Sequence, residues 1–226
     1  MNSLIEYRDV RVDGDDGPIV CGFSAAAPAG QLTAIVGPSG AGKTTLLRLL
    51  NRLDDPDGGA VLFGGRDVRS YDVLDLRRRV QVVGQVPVTF PGTVADNLGE
   101  LYLPPPTHDA GPAGNGAAVS AVDDPGTLLA RVGLDPALAG READRLSVGE
   151  AQRLCLARSL ALHPEVLALD EPTSALDTAS KAGIVALIAG LAEGGLTVVM
   201  VTHDPAQAEI ADHVVTVEPF RPGGGR

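Results

Sequence analysis

Residues 37–45 read GPSGAGKTT, a glycine-rich stretch that ends in a lysine and two threonines. The stretch stands between an apolar run at residues 32–36, LTAIV, and a helical pattern from Lys43 to Leu50. Glycines in such a loop let consecutive backbone N–H groups turn towards phosphate oxygens, and the following helix adds its positive N-terminal dipole. This strand–loop–helix order predicts a site for a nucleoside triphosphate.

Within that site the residue types predict individual contacts. We expect Lys43 to reach the β- and γ-phosphates and the Thr44 hydroxyl to coordinate Mg²⁺, so that ATP and Mg²⁺ are the predicted ligands. The residues predicted to bind the nucleotide are Gly37, Pro38, Ser39, Gly40, Ala41, Gly42, Lys43, Thr44 and Thr45.

Two carboxylates close a second apolar run. Residues 165–171, EVLALDE, predict a buried strand that carries Asp170 and Glu171 at its end, with Pro172 next. Because ligands bind at the carboxyl edge of parallel sheets, Asp170 is a candidate for the Mg²⁺ shell. Glu171 suits the polarisation of an attacking water, provided that the strand ends there and both carboxylates face the site.

Two other polar residues also follow predicted strands. His203 ends the run LTVVMVTH at residues 196–203. Such a histidine either caps a helix or loop or contacts the γ-phosphate, and its place after a third core strand favours the phosphate contact. Gln85 follows the stretch RRVQVVG, and its chemistry alone indicates a solvated loop residue.

The order of the elements predicts the architecture. A helical pattern at residues 178–192 separates the second and third apolar runs, and this alternation predicts a parallel sheet with helices on its faces. Residues 104–127 are rich in proline, glycine and alanine and carry few large apolar groups, so we expect a mobile loop there.

Composition limits the classes of function. The 226 residues are 44% hydrophobic and 21% charged, as in a globular domain, and the net charge of −11 argues against nucleic acid as the main partner. The first residues carry no apolar signal region, and no run approaches the ~20 apolar residues that span a bilayer. These features predict a cytoplasmic protein. Cys21 and Cys155 lie in apolar stretches and predict buried free thiols.

Taken together, the motifs resemble those of the ATP-binding subunits of ABC transporters. In chain order they are GPSGAGKTT, Gln85 within VVGQVPVTFPGTVADNL, LSVGEAQRLCLARSL, LALDEPTSALD and VTHD. This is the family's order of Walker A, Q-loop, signature, Walker B, D-loop and switch histidine, and it covers nearly the whole chain. The resemblance implies an α/β fold of the P-loop NTPase (RecA-like) type. Its sheet is mostly parallel, with an N-terminal antiparallel β portion and a helical signature subdomain.

The resemblance also implies an organisation of the chain. We expect residues 1–226 to form one ATPase domain. Residues 1–86 and 160–226 would form its catalytic core, and residues 87–159 a helical subdomain that contains the predicted loop.

The family's roles carry over to matching positions. Gln85 resembles the Q-loop glutamine, which contacts the Mg²⁺ and water site and connects it to the membrane partner. Glu171 resembles the catalytic base, Asp177 the D-loop aspartate and His203 the switch histidine. The implied catalytic residues are therefore Glu171, His203 and Gln85, and the implied metal-site residues are Thr44, Gln85 and Asp170.

The resemblance further implies a head-to-tail pair of chains, in which the signature of one chain closes over the ATP bound at Lys43 of the other. Ser147 and Gly149 would supply that contact. Val148 and Glu150 stand where glycine and glutamine are expected, so the signature is either functional with altered strength or degraded. Ser147 and Glu150 also match a capping box, which turns the glutamate back to its own helix end and favours the functional alternative.

The implied second partner is a polytopic permease in a separate polypeptide, which would hold this chain at the cytoplasmic face of the membrane. We expect docking through the segment around Phe90, an aromatic residue predicted to be exposed. The alternative is a soluble ABC ATPase such as that of iron–sulfur cluster assembly.

Among transporters, the stretch LLRLLNRLDDPDGGAVLFGGRDV and the signature look closest to a subfamily with the bacterial Fet-type iron exporter ATPase and the plant aluminium-tolerance ATPase. Metal-ion export is thereby implied, with phosphate-import ATPases second. The stretch VRVDGDDG lacks the aromatic residue that often stacks on adenine in this family, and Tyr7 stands too early to replace it. Weak base selectivity or another platform for the base is expected.

Overall fold

The computed structural model describes residues 3–15, 17–99 and 123–220. The strands are β1 Ser3–Gly14, β2 Gly17–Pro28, β3 Leu32–Val36, β4 Gly58–Phe63, β5 Arg66–Asp67, β6 Val80–Val83, β7 Val166–Asp170, β8 Thr197–Thr202 and β9 His213–Thr216. The helices are α1 Lys43–Leu50, α2 Val73–Arg79, α3 Pro125–Arg131, α4 Val148–Leu160, α5 Thr178–Glu193 and α6 Pro205–Ala208.

The strands form two sheets. Strands β6, β7, β8, β3 and β9, in that order, form a sheet in which every pairing is parallel. Strands β2, β1, β4 and β5 form a second, antiparallel sheet. The α/β class with a parallel sheet and an N-terminal antiparallel portion is therefore confirmed.

The predicted elements that surround the phosphate loop are also confirmed, with shifts of one or two residues at some ends. Strand β3 and helix α1 have the predicted bounds, and β7 and β8 each lose one residue at both ends. Helix α4 begins two residues earlier than its predicted start at residue 150, with Ser147 as its N-cap.

The parallel sheet is covered on both faces. In β7, Leu167 and Leu169 pack into a core that contains the apolar residues of α3, α4 and α5. Val166 and Ala168 pack on the other face, in a core shared with α1 and the antiparallel sheet. Successive strand residues point to opposite faces, so a strand buried on both faces reads as a continuous apolar run.

The predicted loop is wrong at its C-terminal end. Pro125 begins α3, where the Asp124 carboxylate accepts a hydrogen bond from the Thr127 N–H at 3.3 Å. Leu128 and Leu129 are fully buried, which stabilises this turn of helix. Residues 104–122 of the predicted loop lie outside the described residues.

The described parts of the predicted helical subdomain contain α3, α4 and three 3₁₀ turns, at Asp96–Leu98, Pro136–Gly140 and Ala143–Arg145. The division of the chain at residues 86 and 160 stays a prediction. None of the helices that the structure describes is both long and apolar enough to cross a membrane.

The two thiols differ from each other. Both are free, but only Cys155 is buried, whereas Cys21 is exposed. The prediction of a buried thiol is wrong for Cys21 because its neighbour Val20 points into the core and alternation turns residue 21 outward.

A bulge between β1 and β4 depends on one glycine. The pairing shifts register between Arg8 and Arg11, and Asp9 within the bulge has a φ of 47°. Opposite the bulge Gly59 has a φ of 72°, and a Cβ atom there would overlap the carbonyl oxygens of Arg8 and Asp9. Both the backbone conformation and the close approach therefore require glycine.

We expect Gly59→Ala to lower the free energy of unfolding by about 2–5 kcal/mol, because it adds both left-handed strain and overlap. The control is Gly190→Ala in α5, where a Cβ atom meets nothing within 4 Å. That change should raise stability by about 0.5–1 kcal/mol, since alanine is the better helix former. Urea unfolding followed by circular dichroism measures both, and equal effects would contradict the assignment.

Candidate active site

The predicted phosphate loop connects β3 to α1. Residues 37–42 form the loop, and Lys43, Thr44 and Thr45 open the helix. Gly42 has a φ of 88°, and a Cβ atom there would contact the side chain of Val20. Among the described residues, no side chain caps α1. The first N–H groups of this helix are therefore open to an anionic ligand, and the dipole favours one.

Lys43 is already turned towards the loop. Its side chain is largely buried, and its Nζ donates hydrogen bonds to the carbonyl oxygens of Gly37 at 2.9 Å and Pro38 at 2.8 Å. The ammonium group thus lies inside the curve of the phosphate loop. A phosphate oxygen bound there would be a stronger, charged acceptor for the same ammonium group.

Asp170 ends β7 beside the start of α1. The carboxylate is buried and lies next to the Thr44 side chain. Burial raises the pKa of Asp170; Thr44 and Lys43 oppose this shift, and the charge of Glu171 adds to it. A buried carboxylate next to a hydroxyl is a donor set that suits a hard divalent cation, whose charge would relieve the cost of burial.

Glu171 leaves the strand direction immediately after Asp170. It has a φ of 45°, and its N–H donates to the carbonyl oxygen of Val201 at 3.0 Å. A positive φ is uncommon for a residue other than glycine and marks a local strain. The strand therefore ends between the two carboxylates, which is the condition under which both face the same site.

His203 and Gln85 meet at Glu171. His203 Nδ1 lies 3.0 Å from Glu171 Oε1, and the histidine side chain is 64% exposed. Gln85 Nε2 lies 3.4 Å from Glu171 Oε2 and donates to Ser174 Oγ at 3.2 Å. The three residues predicted to be catalytic are thus brought together, although they are far apart in sequence.

Ser174 is a contact that sequence reasoning missed. Its N–H donates to the carbonyl oxygen of Glu171 at 3.1 Å, which closes the turn after the strand, and its hydroxyl accepts the bond from Gln85. The residue lies inside the motif LALDEPTSALD, so a search for polar residues one turn beyond Glu171 would have found it.

The signature forms a capping box at the start of α4. The Ser147 N–H donates to Glu150 Oε2 at 2.8 Å, and the Glu150 N–H donates to Ser147 Oγ at 3.3 Å. The hydrogen bond from the Ser147 backbone is the main cause that lowers the pKa of Glu150. The glutamate is therefore a carboxylate turned back to its own helix end, and Val148 is exposed.

Asp177 begins a second helix close to this motif. Its carboxylate caps α5 through the N–H groups of Ala179 and Ser180, both at 3.0 Å. A Cβ atom on Gly149 would lie 3.2 Å from Ser180 Oγ, a tight contact, so the N-terminal ends of α4 and α5 lie close together. Among the described residues, these contacts of the signature and the D-loop do not involve the phosphate loop. The predicted site residues therefore fall into two groups.

Tyr7 belongs to the core. It is buried, its hydroxyl donates to the carbonyl oxygen of Leu46 at 3.0 Å, and its ring meets Phe23 edge-on. Burial also raises its pKa far above the usual value. The expectation that Tyr7 does not stack on a base is consistent with this position.

In the predicted docking segment around Phe90, the exposed side chains are not the expected ones. Phe90 is half-buried, with the Arg158 guanidinium 4.6 Å from the centre of its ring, and Asn97 bonds both its backbone N–H and its carbonyl. The exposed apolar side chains are instead Val86 and Val88, at 73% and 56% exposure. Arg158 covers the ring, so the expected exposed aromatic is wrong.

Comparison with known proteins decides the family. The family model described as "ABC transporter" matches residues 21–174. The chain belongs to the ABC transporter family. It is thus an ATP-binding cassette of the ATP-hydrolysing class.

Individual relatives agree with this family. Protein STAR1 of Oryza sativa subsp. japonica is 48% identical over 198 residues, which cover 87% of this chain and 54% of STAR1, so the cassette spans about half of that relative. The phosphate import ATP-binding protein PstB 2 of Mycobacterium tuberculosis strain H37Rv is 44% identical over 82% of this chain and 67% of its own length. Both kinds of relative that the motifs indicated, plant and phosphate-import, are represented.

A solved structure has the same fold. The cbiO1 protein from Clostridium perfringens, part of the ABC transporter complex cbiONQ, superposes with a TM-score of 0.79 at 24% identity. The match covers 98% of this chain and 88% of that one.

The capping box leads to a prediction about the signature of this ABC cassette. Val148→Gly and Glu150→Gln should each change ATPase activity by less than about tenfold, which is under about 1.4 kcal/mol. Glutamine can keep the reciprocal bond of the box, and residue 148 is exposed. Ser147→Ala should do more harm, because it removes a hydroxyl predicted to serve both the cap and the γ-phosphate.

Steady-state rates of the three variants with the membrane partner present decide this point. A rise well beyond tenfold for Val148→Gly or Glu150→Gln would instead indicate a signature that is weakened by its sequence.

Proposed function

We propose that this ABC cassette binds MgATP, closes over it as a head-to-tail pair and hydrolyses it to drive transport through a separate polytopic permease. The observation that supports the catalytic part is that Glu171 directly follows Asp170, the carboxylate beside Lys43 and Thr44, and has His203 at 3.0 Å and Gln85 at 3.4 Å from its two carboxylate oxygens. The family membership supports the transport part.

Phosphate binding is assigned to the loop at residues 37–45. The open N–H groups of α1 would surround the phosphate oxygens, and Lys43 would exchange its bonds to the loop carbonyls for bonds to the β- and γ-phosphates. Thr44 and Asp170 would hold Mg²⁺, with Gln85 as a further oxygen donor. When bound, the ion supplies charge neutralisation at the phosphates.

Water activation is assigned to Glu171. Its carboxylate would take the proton of the attacking water, a role in which general bases contribute about 10²- to 10⁴-fold in rate. His203 Nδ1 lies 3.0 Å from one oxygen of that carboxylate and would orient it, and the mostly exposed ring can reach a γ-phosphate on its other side. Gln85 contacts the second oxygen and thereby joins the Q-loop to the base.

A second copy of the chain completes the site in this proposal. Ser147, Gly149 and Asp177 form a group apart from the phosphate loop, and their two helix N-termini lie together. The ends of α4 and α5 would face the γ-phosphate of ATP held by the other chain. Each chain would thus contribute half of two composite sites.

The permease contact is assigned to the Q-loop segment. Val86 and Val88 lie within the three residues after Gln85 and are strongly exposed, and the Arg158–Phe90 contact connects the same segment to α4. A partner seated on Val86 and Val88 would therefore be connected to Glu171 through Gln85 and to α4 through Arg158. In this arrangement the cassette is cytoplasmic and peripheral to the membrane.

Metal-ion export and phosphate import are the two proposed transport functions. The motif resemblance implies metal-ion export, with iron as the candidate. Phosphate import is a second candidate, supported by the 44% identity to a phosphate-import ATPase. A soluble ATPase of the iron–sulfur assembly kind is the alternative without a permease, and copurification distinguishes it.

Glu171→Gln should leave ATP binding intact and lower turnover by about 10²- to 10⁴-fold, because an amide cannot accept the proton. The matched control is Glu165→Gln, which lies just before the other end of β7 and pairs with Arg79 on the surface. It should hydrolyse ATP near the wild-type rate. Phosphate release and nucleotide binding are measured, and a Glu171→Gln protein with near wild-type turnover would refute the role.

An affinity-tagged chain should recover a polytopic membrane protein from native membranes in mild detergent at low salt. Val88→Asp should abolish recovery, because a charge would be buried in the apolar contact. Cys21→Asp, an exposed change on the antiparallel sheet, should not. If wild-type protein recovers soluble proteins alone, the transporter assignment fails.

A further inference from the structure

We propose that Gln207 is a positioning residue of the ATPase, and that its buried amide holds the backbone of His203 in place against the turn that carries Glu171. This inference rests on the proposed function, since it concerns the geometry of the same pair. It adds a residue on α6 that, among the described residues, has no hydrogen bond or ion pair with Glu171.

Three buried polar side chains near Glu171 and His203 are joined by hydrogen bonds. Gln207 is 5% exposed, Thr202 2% and Thr173 1%. They come from α6, from the end of β8 and from the turn after β7. Polar groups at such depth are costly unless they are hydrogen-bonded, so their shared bonds favour one arrangement of the three segments.

Both ends of the Gln207 amide are bonded. The Thr202 hydroxyl donates to Oε1 at 3.1 Å, while Nε2 donates to Thr173 Oγ1 at 2.6 Å and to Asp204 Oδ2 at 3.2 Å. The Asp204 N–H in turn donates to Thr202 Oγ1 at 3.0 Å. A carboxylate or an apolar side chain at position 207 cannot reproduce this set, because the amide acts as acceptor at one end and donor at the other.

The hydrogen bonds of Gln207 flank His203 on both sides along the chain. The residues on either side of it, Thr202 and Asp204, are both bonded to Gln207. The imidazole itself is 64% exposed, so core packing does not determine where it lies. Its position relative to Glu171 therefore depends on its backbone.

The network also reaches the turn that carries the base. Thr173 stands two residues after Glu171, inside the turn that the Ser174 N–H closes. The ladder between β7 and β8 ends at Asp170 and Val201, with one more bond from the Glu171 N–H to Val201. Beyond that point, the bond from Gln207 to Thr173 connects the two segments below the site. It keeps Glu171 and His203 in register where the sheet no longer does.

A change at Gln207 is therefore expected to act on kcat. An error of about 1 Å between reacting groups can cost about 100-fold, whereas phosphate binding by the loop at residues 37–45 does not involve Gln207. For Gln207→Met, which keeps the volume of the side chain, we expect kcat to fall about 10- to 100-fold, with KM for ATP within about threefold.

The test is a double-mutant comparison under single-turnover conditions, with Gln207→Met made in wild-type protein and in His203→Ala. If Gln207 acts by placing His203 against Glu171, its loss should cost less than about threefold when the histidine is already absent. A purely structural defect would lower the rate by the same factor in both backgrounds, and this result would overturn the proposal. An unchanged kcat, or a rise in KM alone, would overturn it as well.

A second pair of variants tests the same hydrogen bond without changing Gln207, in case Gln207→Met folds poorly. Thr173→Val removes the acceptor of the Gln207 bond and should lower kcat in the same way. Its matched control is Thr33→Val in β3, a buried threonine whose hydroxyl has no hydrogen-bond partner among the described residues. The control should keep kcat within about twofold. Equal rates for Thr173→Val and Thr33→Val would contradict the inference.

Glu171→Gln separates this inference from the proposed function. If Glu171→Gln is inactive while Gln207→Met and Thr173→Val turn over like wild type, only the positioning role is wrong. If Glu171→Gln remains active, the proposed base is wrong and the positioning role falls with it.

Discussion

The site depends on the burial of one parallel sheet on both faces. Each of the five residues of β7 is buried, and its four apolar side chains pack alternately into the two cores. Burying an unpaired charge costs free energy, so acidic residues are tolerated at the end of such a strand and not in its middle. Because the strands are parallel, β6, β7 and β8 end at the same edge, and the segments that follow them carry Gln85, Glu171 and His203.

The backbone conformation at Glu171 allows two neighbouring carboxylates at this edge to face the same site. A straight continuation of β7 would send neighbouring carboxylates to opposite faces. The positive φ at Glu171 breaks that alternation, and the bond from its N–H to Val201 retains the pairing with β8 at the break. Strain of this kind costs about 1–3 kcal/mol and persists only where the surroundings enforce it. Here the bonds of Ser174 and the network of Gln207 lie in those surroundings.

The signature obeys a different constraint. Its capping box satisfies the start of α4 within the chain, so that this helix end is stable without a ligand. The same box holds the Glu150 carboxylate away from the outward direction of the helix axis. The hydrogen bonds of the capping box thereby accommodate a glutamate where the signature is expected to have glutamine. The positive end of the α4 dipole remains directed at a ligand bound at the start of the helix.

The sequence by itself determined the fold class, the phosphate loop, the capping box of α4 and the family, because these depend on local periodicity and on motifs of short span. It also named Glu171, His203 and Gln85 through resemblance.

Only the tertiary structure decided that these residues touch, that Phe90 is covered by Arg158, that Cys21 faces outward and that Gln207 joins two catalytic segments. The physical reason is range: a hydrogen bond between residues 34 positions apart leaves no periodic trace in the chain. Asp124 and Pro125 form a local helix-start pattern inside a proline- and glycine-rich stretch whose composition predicts a loop, and the burial of Leu128 and Leu129 in the core decides in favour of the helix.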